Sequence, residues 1–481
     1  MSVEKTFKRK VIDSFLWLGS GTFIGQIISW VATIYVVRLL IPSAYGLMAM
    51  ASAFISVLAM IGELGIGASI IQAERIDEES IQNIFGVILV TFFVGFLICL
   101  MAAPWISAFF KEPKLVPIIR AMGTMFILLS FLAIPEALII REMNFKVKAK
   151  IDIASQMVGS ATTLVLAILK YEVWALVFGF IAVYFIKAVA YNLHFKKIIK
   201  PSFRHIHIKS YIKYGIVVTL SRVTYGLFTE VDKIIAGRFL GGVNLGIYAV
   251  AANLSSIPAE KILPIVSQVT FTSYSRIQKD KARINRNILR TIRAISYLGF
   301  PLFFGMIVVA PFGIPLLLGN KWETLVVPFQ LFCIVMPFRA LSPVLPPAIF
   351  AVGKPNVNLS NMVLNLIVMS VAIYAGIRFG LNGICMAWVI VFPFLFFINS
   401  YRCLKILEIR FAEYLHEMIF PFFTSVLMVV FVVSMVKLFG VNNPIYSMVI
   451  MCSAGSMFYL TIVYFFKKDD ILKLRDSLGA S

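Results

Sequence analysis

The chain has 481 residues, of which 60% are hydrophobic and only 14% are charged. A soluble domain usually carries charge on about a quarter of its residues, so this composition excludes an ordinary soluble protein. Apolar runs of about 20 residues, long enough to cross a bilayer, recur from end to end and predict a polytopic membrane protein. The net charge of +21 does not indicate nucleic-acid binding, because most cations lie in short loops between the apolar runs.

We predict about fourteen transmembrane helices, because a segment in lipid must satisfy its backbone hydrogen bonds internally. Twelve spans would require two of the apolar runs to lie flat on the membrane. The run that follows the basic N-terminus shows no small-residue cleavage site, so it is predicted to be a retained first span. The predicted spans are residues 14–37, 44–70, 83–103, 121–140, 151–169, 174–193, 214–237, 246–272, 294–318, 325–350, 357–377, 381–401, 415–436 and 445–466.

The distribution of Lys and Arg predicts the orientation of these spans. The N-terminus, the even-numbered loops and the C-terminus carry 30 of these residues, whereas the odd-numbered loops carry nine. Loops rich in Lys and Arg stay on the cytoplasmic side, so both termini are predicted to be cytoplasmic.

An internal repeat relates the two halves of the sequence. Residues 38–46, RLLIPSAYG, align without a gap on residues 238–246, RFLGGVNLG. Spans one and seven both run outward from the cytoplasm, so the two copies are parallel and predict two six-helix lobes with a substrate path between them. The predicted domains are an N-terminal lobe at 1–193, a basic cytoplasmic linker at 194–213, a second lobe at 214–410, and two extra spans with a cytoplasmic tail at 411–481.

Four cations lie inside predicted spans, at comparable depth from the cytoplasmic end. They are Lys187 in span six, Arg222 in span seven, Lys261 in span eight and Arg339 in span ten. A charge at the centre of a membrane helix costs about 2.5–3.5 kcal/mol on insertion scales, so such residues usually have a function. Together they predict a binding site for an anionic substrate, a phosphate above all. The alternative is that these long side chains extend back to the interface.

Carboxylates within the spans are the candidates for ion coupling. Glu260 is predicted either to carry a proton or cation or to act as the counter-ion of its neighbour Lys261. Asp232 and Lys233, near the outer end of span seven, are either an ion pair that fixes the helix end or an ion-coupling site. Glu136 lies close to the cytoplasmic face and is predicted to be structural.

Sequence signatures of enzymes are missing. No phosphate-binding loop that ends in Gly-Lys-Ser/Thr is present, and the four histidines form no HExxH pattern. The five cysteines are scattered, which favours free packing thiols over disulfides or a metal site. We therefore predict no catalytic residues, no cofactor and no metal.

Several ordered motifs resemble the polysaccharide flippases of the multidrug/oligosaccharidyl-lipid/polysaccharide (MOP) exporter superfamily. They are the 6+6+2 arrangement of spans, the Arg-x-Leu-x5-Gly turns after spans one and seven, Asp232-Lys233 before the second turn, and Leu318-Gly319-Asn320-Lys321-Trp322 after span nine. The resemblance covers nearly the whole chain. It implies translocation of undecaprenyl-diphosphate-linked oligosaccharide across the bacterial cytoplasmic (inner) membrane, for O-antigen, capsule or exopolysaccharide synthesis. The family's cation-lined cavity would correspond here to Arg222, Lys261 and Arg339.

The implied partners are this lipid-linked substrate, membrane lipids, and the polysaccharide polymerase and chain-length machinery, with no nucleic acid. Two other functions stay open at this point. A cation-coupled multidrug antiporter of the same superfamily would need a cavity dominated by carboxylates, and a non-transporting membrane scaffold would need no charge at mid-depth.

Overall fold

A computed structural model describes residues 31–62, 70, 77–142, 144–195, 201–202, 209–276, 281–439 and 443–479. Within these ranges, the side chains of residues 209–222, 261–276, 281–283, 439 and 468–479 are not described. The helices are α1 (Pro42–Gly62), α2 (Glu78–Phe110), α3 (Leu115–Arg141), α4 (Phe145–Ile168), α5 (Val173–Phe195), α6 (Lys209–Arg276), α7 (Lys281–Leu318), α8 (Val326–Leu341), α9 (Pro346–Ala351), α10 (Pro355–Gly376), α11 (Gly380–Leu407), α12 (Phe411–Phe439) and α13 (Pro444–Gly479). Short 3₁₀ turns at Asn320–Leu325 and Ser342–Val344 flank α8, and a third lies at Ile377–Phe379.

Predicted spans three to nine and eleven to fourteen each fall on a described helix, and span ten is divided among α8, a 3₁₀ turn and α9. Span two lies on α1 as far as Gly62, and its residues 63–69, like most of the predicted first span, lie outside the described residues. In the described part of the chain, eleven helical stretches are long and apolar enough to cross a membrane. Two of these stretches include all or part of two predicted spans each. One is Pro355–Leu407, which the turn between α10 and α11 divides, and the other is Val223–Glu260 within α6.

The break inside α6 lies at Gly241, where φ is 77° and ψ is 175°. A positive φ is disfavoured for residues with a Cβ, so glycine allows the chain to turn here between predicted spans seven and eight. This turn packs directly against the turn that begins α1. A Cβ added at Gly46 would lie 1.7 Å from the Gly242 carbonyl oxygen, and one at Gly246 would lie 1.8 Å from the Pro42 carbonyl oxygen. The two repeated turns therefore contact each other through their backbones.

The described chain divides into two compact units, Met1–Gly246 and Ile247–Ser481. In the first unit, α2 packs against α3, α4 against α5, and α3 against α5. A buried cluster of Leu132, Ile139, Ile151 and Tyr191 joins α3, α4 and α5. These three helices also carry the charged residues described below.

In the second unit, α7 packs against α8, α12 and α13, and α8 and α10 each pack against α11. Aromatic rings fill the contact, with Phe300 of α7 meeting Phe338 of α8 edge-on at 5.8 Å and Phe422 of α12 at 5.5 Å. Arg293 and Glu417 form a two-pronged ion pair between α7 and α12, with Nη2 of the arginine 2.8 Å from Oε1. The Tyr459 hydroxyl of α13 donates a hydrogen bond to the Tyr297 carbonyl oxygen of α7, 3.0 Å away. The two extra spans, α12 and α13, are therefore each bonded to α7.

Candidate functional site

The structure describes the side chains of two of the four predicted substrate-binding cations. Lys187 lies on α5 and Arg339 lies on α8. Arg222 and Lys261 belong to α6, but their side chains lie outside the described residues. These two remain predictions from the sequence.

Lys187 belongs to a group of four charged residues that we call the charge network, formed by Glu136, Lys148, Asp152 and Lys187. Lys187 Nζ lies 2.8 Å from Asp152 Oδ1, and Lys148 Nζ lies 3.0 Å from Asp152 Oδ2. Lys148 Nζ is also 2.6 Å from Glu136 Oε1. Two cations and two carboxylates therefore neutralise each other across α3, α4 and α5.

Arg339 has a different kind of partner. Its guanidinium carbon lies over the ring of Trp388 on α11, 5.0 Å from the ring centroid. The Trp388 indole N–H in turn donates a hydrogen bond to the hydroxyl of Tyr248, 2.8 Å away, and both aromatic residues are buried. Among the described side chains, Arg339 forms no ion pair and no hydrogen bond. Its positive charge is therefore not neutralised by a described carboxylate.

The carboxylates that were predicted for ion coupling differ in their surroundings. Asp232 is buried, and one of its carboxylate oxygens accepts a hydrogen bond from the backbone N–H of Lys233 at 2.7 Å. The Lys233 ammonium is paired with Glu230, 2.8 Å away, which lies one turn earlier on the same helix. Glu260 is exposed and accepts a hydrogen bond from the Ser256 hydroxyl at 2.9 Å. Whether it also meets Lys261 lies outside the described side chains.

A second cation with neutral partners, Arg402 of α11, was not recognised in the sequence because it was counted with a cytoplasmic loop. Arg402 donates to the Asn361 amide oxygen at 2.7 Å and to the Ser360 hydroxyl at 2.9 Å, both on α10. The signal that would have found it is a row of amides in an apolar span. Asn358, Asn361 and Asn365 are spaced by three and four residues, so they share one helix face.

An apolar groove in the second unit has a volume of about 520 Å³. It lies between α7, α12 and α13, and its lining includes Pro301, Gly305, Met428, Met451 and Cys452. Methionine side chains are flexible and polarisable, so they adapt to apolar ligands of irregular shape. This groove has the chemistry to hold a hydrocarbon chain. The sequence did not predict it, because it depends on which faces of three distant helices meet.

Comparison with known proteins gives one family match and several distant relatives. A family model described as polysaccharide biosynthesis protein matches residues 35–327. The lipopolysaccharide biosynthesis protein WzxC of Escherichia coli K12 is 21% identical over 431 residues, which cover 87% of this chain and 86% of WzxC. The teichuronic acid biosynthesis protein TuaB of Bacillus subtilis 168 is 23% identical over 370 residues, 76% of each chain.

Solved structures show a shared fold. The lipid II flippase MurJ in an inward closed conformation superimposes with a TM-score of 0.74 at 13% identity, covering 95% of this chain and all of MurJ. An inward-facing multidrug resistance transporter of the MATE family superimposes with a TM-score of 0.59 at 15% identity, covering 80% of this chain and 95% of that one. The predicted all-α polytopic membrane fold is confirmed.

Proposed function

The chain belongs to the polysaccharide biosynthesis protein family, and we propose that it flips a lipid-linked oligosaccharide across the bacterial cytoplasmic membrane. The family match and the fold shared with MurJ and MATE structures support the predicted resemblance to flippases of the MOP superfamily. The proposed substrate is undecaprenyl-diphosphate-linked oligosaccharide, moved from the cytoplasmic to the periplasmic leaflet by alternating access. The product would pass to a polysaccharide polymerase and its chain-length partner.

The observation that carries this proposal is that Arg339 contacts an aromatic ring and no described carboxylate. A guanidinium in a membrane helix is costly, and two other described cations in predicted spans, Lys187 and Lys233, are neutralised by carboxylates, whereas Arg402 is held by neutral groups that occupy its donors. Arg339 instead rests on a neutral ring, and no described side chain neutralises its charge or occupies its N–H donors, which supports a role in binding an anion. A diphosphate fits these donors because guanidinium binds phosphate oxygens through two parallel hydrogen bonds.

The apolar groove supports the lipid part of the proposed substrate. Burial of each CH₂ group of a hydrocarbon chain stabilises a complex by about 0.8 kcal/mol. Inside a bilayer this gain is small because lipid is equally apolar, so the groove would guide a chain rather than bind it tightly. A lipid-linked substrate needs both elements, a site for a charged headgroup and an apolar path for its tail.

The finer parts of this proposal come from the sequence and are each open to a direct test. Arg222 and Lys261 are proposed to contribute to the same anion site as Arg339. Glu260 and Asp232 are proposed as coupling residues, so Glu260→Gln should abolish gradient-dependent flipping and leave substrate binding intact. Both termini are proposed to be cytoplasmic, so alkaline phosphatase fused after Ser481 should be inactive.

The proposed function is tested by replacing Arg339. Loss of one charge-assisted contact should weaken binding of undecaprenyl diphosphate by about 1.5–3 kcal/mol, or roughly 10- to 150-fold. Arg339→Ala should therefore lose polysaccharide export in a strain that lacks the native gene, and Arg339→Lys should be intermediate because Lys supplies charge without the planar fork. Radiolabelled undecaprenyl diphosphate and purified protein in detergent provide the binding assay.

Arg410→Ala is the matched control, because the Arg410 side chain is 84% exposed and forms only a local pair with Glu413. Export and binding are compared at equal protein level. Normal export and normal binding by Arg339→Ala would refute the anion site. Drug sensitivity of the deletion strain, with surface polysaccharide intact, would instead favour the multidrug antiporter.

A further inference from the structure

We propose that Trp388 and Tyr248 are positioning residues that hold the Arg339 guanidinium charged and open toward the diphosphate of the substrate. This inference rests on the proposed function and adds the residues that prepare its anion site. It also predicts that the site distinguishes Arg from Lys before any substrate is bound.

The Arg339 site is assembled from three helices of the second unit. Arg339 lies on α8, Trp388 on α11 and Tyr248 on the second half of α6. Trp388 is 1% exposed and Tyr248 is fully buried. The hydrogen bond between their side chains, 2.8 Å from Nε1 to the hydroxyl oxygen, fixes the plane of the indole ring.

Two further rings hold this pair in place. The Tyr248 ring meets Phe332 of α8 edge-on, with 5.1 Å between centroids, and the Trp388 ring lies against Phe392 at 5.5 Å. Phe332 and Arg339 are seven residues apart on α8, which is close to two helical turns, so both belong to nearly the same face. The indole surface under the guanidinium is therefore rigid and does not need to be ordered when substrate arrives.

An arginine that contacts an aromatic ring keeps its positive charge, whereas an arginine that pairs with a carboxylate is neutralised. A carboxylate neutralises the charge and occupies the N–H donors, as Glu417 does with two donors of Arg293. The face of an indole attracts the cation through its negative electron density and accepts no N–H in the guanidinium plane. Arg339 is thus held in place while its donors, which no described side chain occupies, stay available for phosphate oxygens.

The chemistry also explains why arginine suits this position better than lysine. A guanidinium is planar and weakly hydrated, so it stacks on an aromatic ring at a smaller desolvation cost than a compact ammonium. Its planar fork also limits the directions in which its N–H groups can donate. Lysine at position 339 would keep the charge but lose the orientation.

Fluorination of the tryptophan at position 388 tests the electrostatic part of this inference. Each fluorine withdraws electron density from the ring face with little change in size, so it weakens a cation–π contact stepwise. We expect about twofold weaker binding of undecaprenyl diphosphate for each added fluorine, within the range of about twofold to 30-fold that such contacts span. Site-specific incorporation of mono-, di- and trifluorotryptophan supplies the series, and the radiolabelled lipid supplies the measurement.

Trp174 is the matched control position, because its ring stacks on Phe178 at 5.7 Å and no described cation lies over it. The same fluorinated series at position 174 should leave binding unchanged. In an Arg339→Lys background the dependence on fluorine number at position 388 should become shallower. A steric or folding effect would not depend on the residue at position 339.

Tyr248→Phe tests the orientation part, since it removes the hydroxyl that fixes the indole and keeps the ring. We expect binding about threefold to tenfold weaker, in line with loss of one buried hydrogen bond. Trp388→Phe should bind more tightly than Trp388→Leu, because it keeps an aromatic face. The inference would be overturned if binding of undecaprenyl diphosphate did not change with the number of fluorines at position 388 and if Tyr248→Phe also bound it normally. If Arg339→Ala loses binding at the same time, the proposed function survives; if it binds normally, the proposed function fails as well.

Discussion

The charge network of α3, α4 and α5 and the Arg339 site of the second unit both place a cation inside a membrane helix. The cations differ in the kind of partner that they contact. In the charge network, Asp152 lies within 3.0 Å of both Lys148 and Lys187, so the group carries no net charge. At the Arg339 site the partner is the neutral ring of Trp388, and no carboxylate in the described part of the chain neutralises the charge. The identity of the partner, rather than the cation, separates a structural contact from a candidate binding site.

The ion pair between Arg293 and Glu417 sharpens this comparison because it lies in the same unit as Arg339. Its two side chains are 21% and 11% exposed, and it joins α7 to α12. Arg293→Ala would leave Glu417 charged and partly buried, and breaking such a pair costs about 3 kcal/mol or more. We expect the loss of thermal stability in detergent to be larger for this variant than for single alanine substitutions in the charge network or at the surface.

Export per folded Arg293→Ala molecule should stay close to the wild-type value. Strong loss of substrate binding with unchanged stability would contradict the rule that carboxylate-paired cations serve structure. Arg293→Ala combined with Glu417→Ala should recover part of the stability, since no buried charge is then left without a partner.

The next largest loss of stability is expected for substitutions in the charge network. Asp152→Ala would leave two lysines with only Glu136 as a described carboxylate partner, and the side chains involved are 19% to 31% exposed. We expect a loss of about 2 kcal/mol, less than for a fully buried pair. Thermal unfolding in detergent measures it, with Glu142→Ala as a control because that carboxylate is exposed at the end of α3.

A second variant separates structure from substrate binding at Lys187. Lys187→Met together with Asp152→Ala should be more stable than Asp152→Ala alone, because one unpaired charge is removed. If Lys187 binds substrate, as the sequence predicts, Lys187→Met will weaken diphosphate binding as Arg339→Ala does. Unchanged binding would limit its role to the charge network.

The smallest effect is expected at the surface. Arg410 and Glu413 form an ion pair one turn apart, yet the arginine side chain is 84% exposed. Solvent screens such a pair, and exposed pairs contribute only about 0–1 kcal/mol. Arg410→Ala should therefore change the unfolding temperature by less than the error of most such measurements. A loss as large as that of Asp152→Ala would show that contact distance alone ranks these pairs.

The sequence predicted the helices well because a bilayer imposes a simple rule on them. A run of about 20 apolar residues has almost no alternative to a spanning helix, so the described parts of spans two to fourteen lie almost entirely on helices. The repeat was visible as well, since Arg38, Leu40 and Gly46 recur at 238, 240 and 246. The length of the apolar runs was sufficient to predict the helices, and a local sequence match was sufficient to predict the repeat.

The sequence did not show which residues the charged side chains contact. Asp152 is 35 positions from Lys187, and Trp388 is 49 positions from Arg339. Helical periodicity shows which residues share a face of one helix, but not which neighbouring helix that face meets. Depth along the helix therefore grouped Lys187 with Arg339, although one is paired with a carboxylate and the other with an indole. Asp232 and Lys233 were considered together because they are adjacent in the sequence, and the structure adds Glu230, one turn earlier, as a partner of the Lys233 ammonium.

The contact between the two repeated turns has a consequence for the order of events during synthesis. Gly46 packs against the backbone of Gly242, about 200 residues later in the chain. At a synthesis rate of about 5–20 residues per second, the first turn exists for roughly 10–40 s before its partner leaves the ribosome. A membrane protein is inserted as it is made, so α1 enters the bilayer with this surface still uncovered. The glycine contact can form only after about half of the chain has been translated, which makes it a late event in the assembly of the first unit.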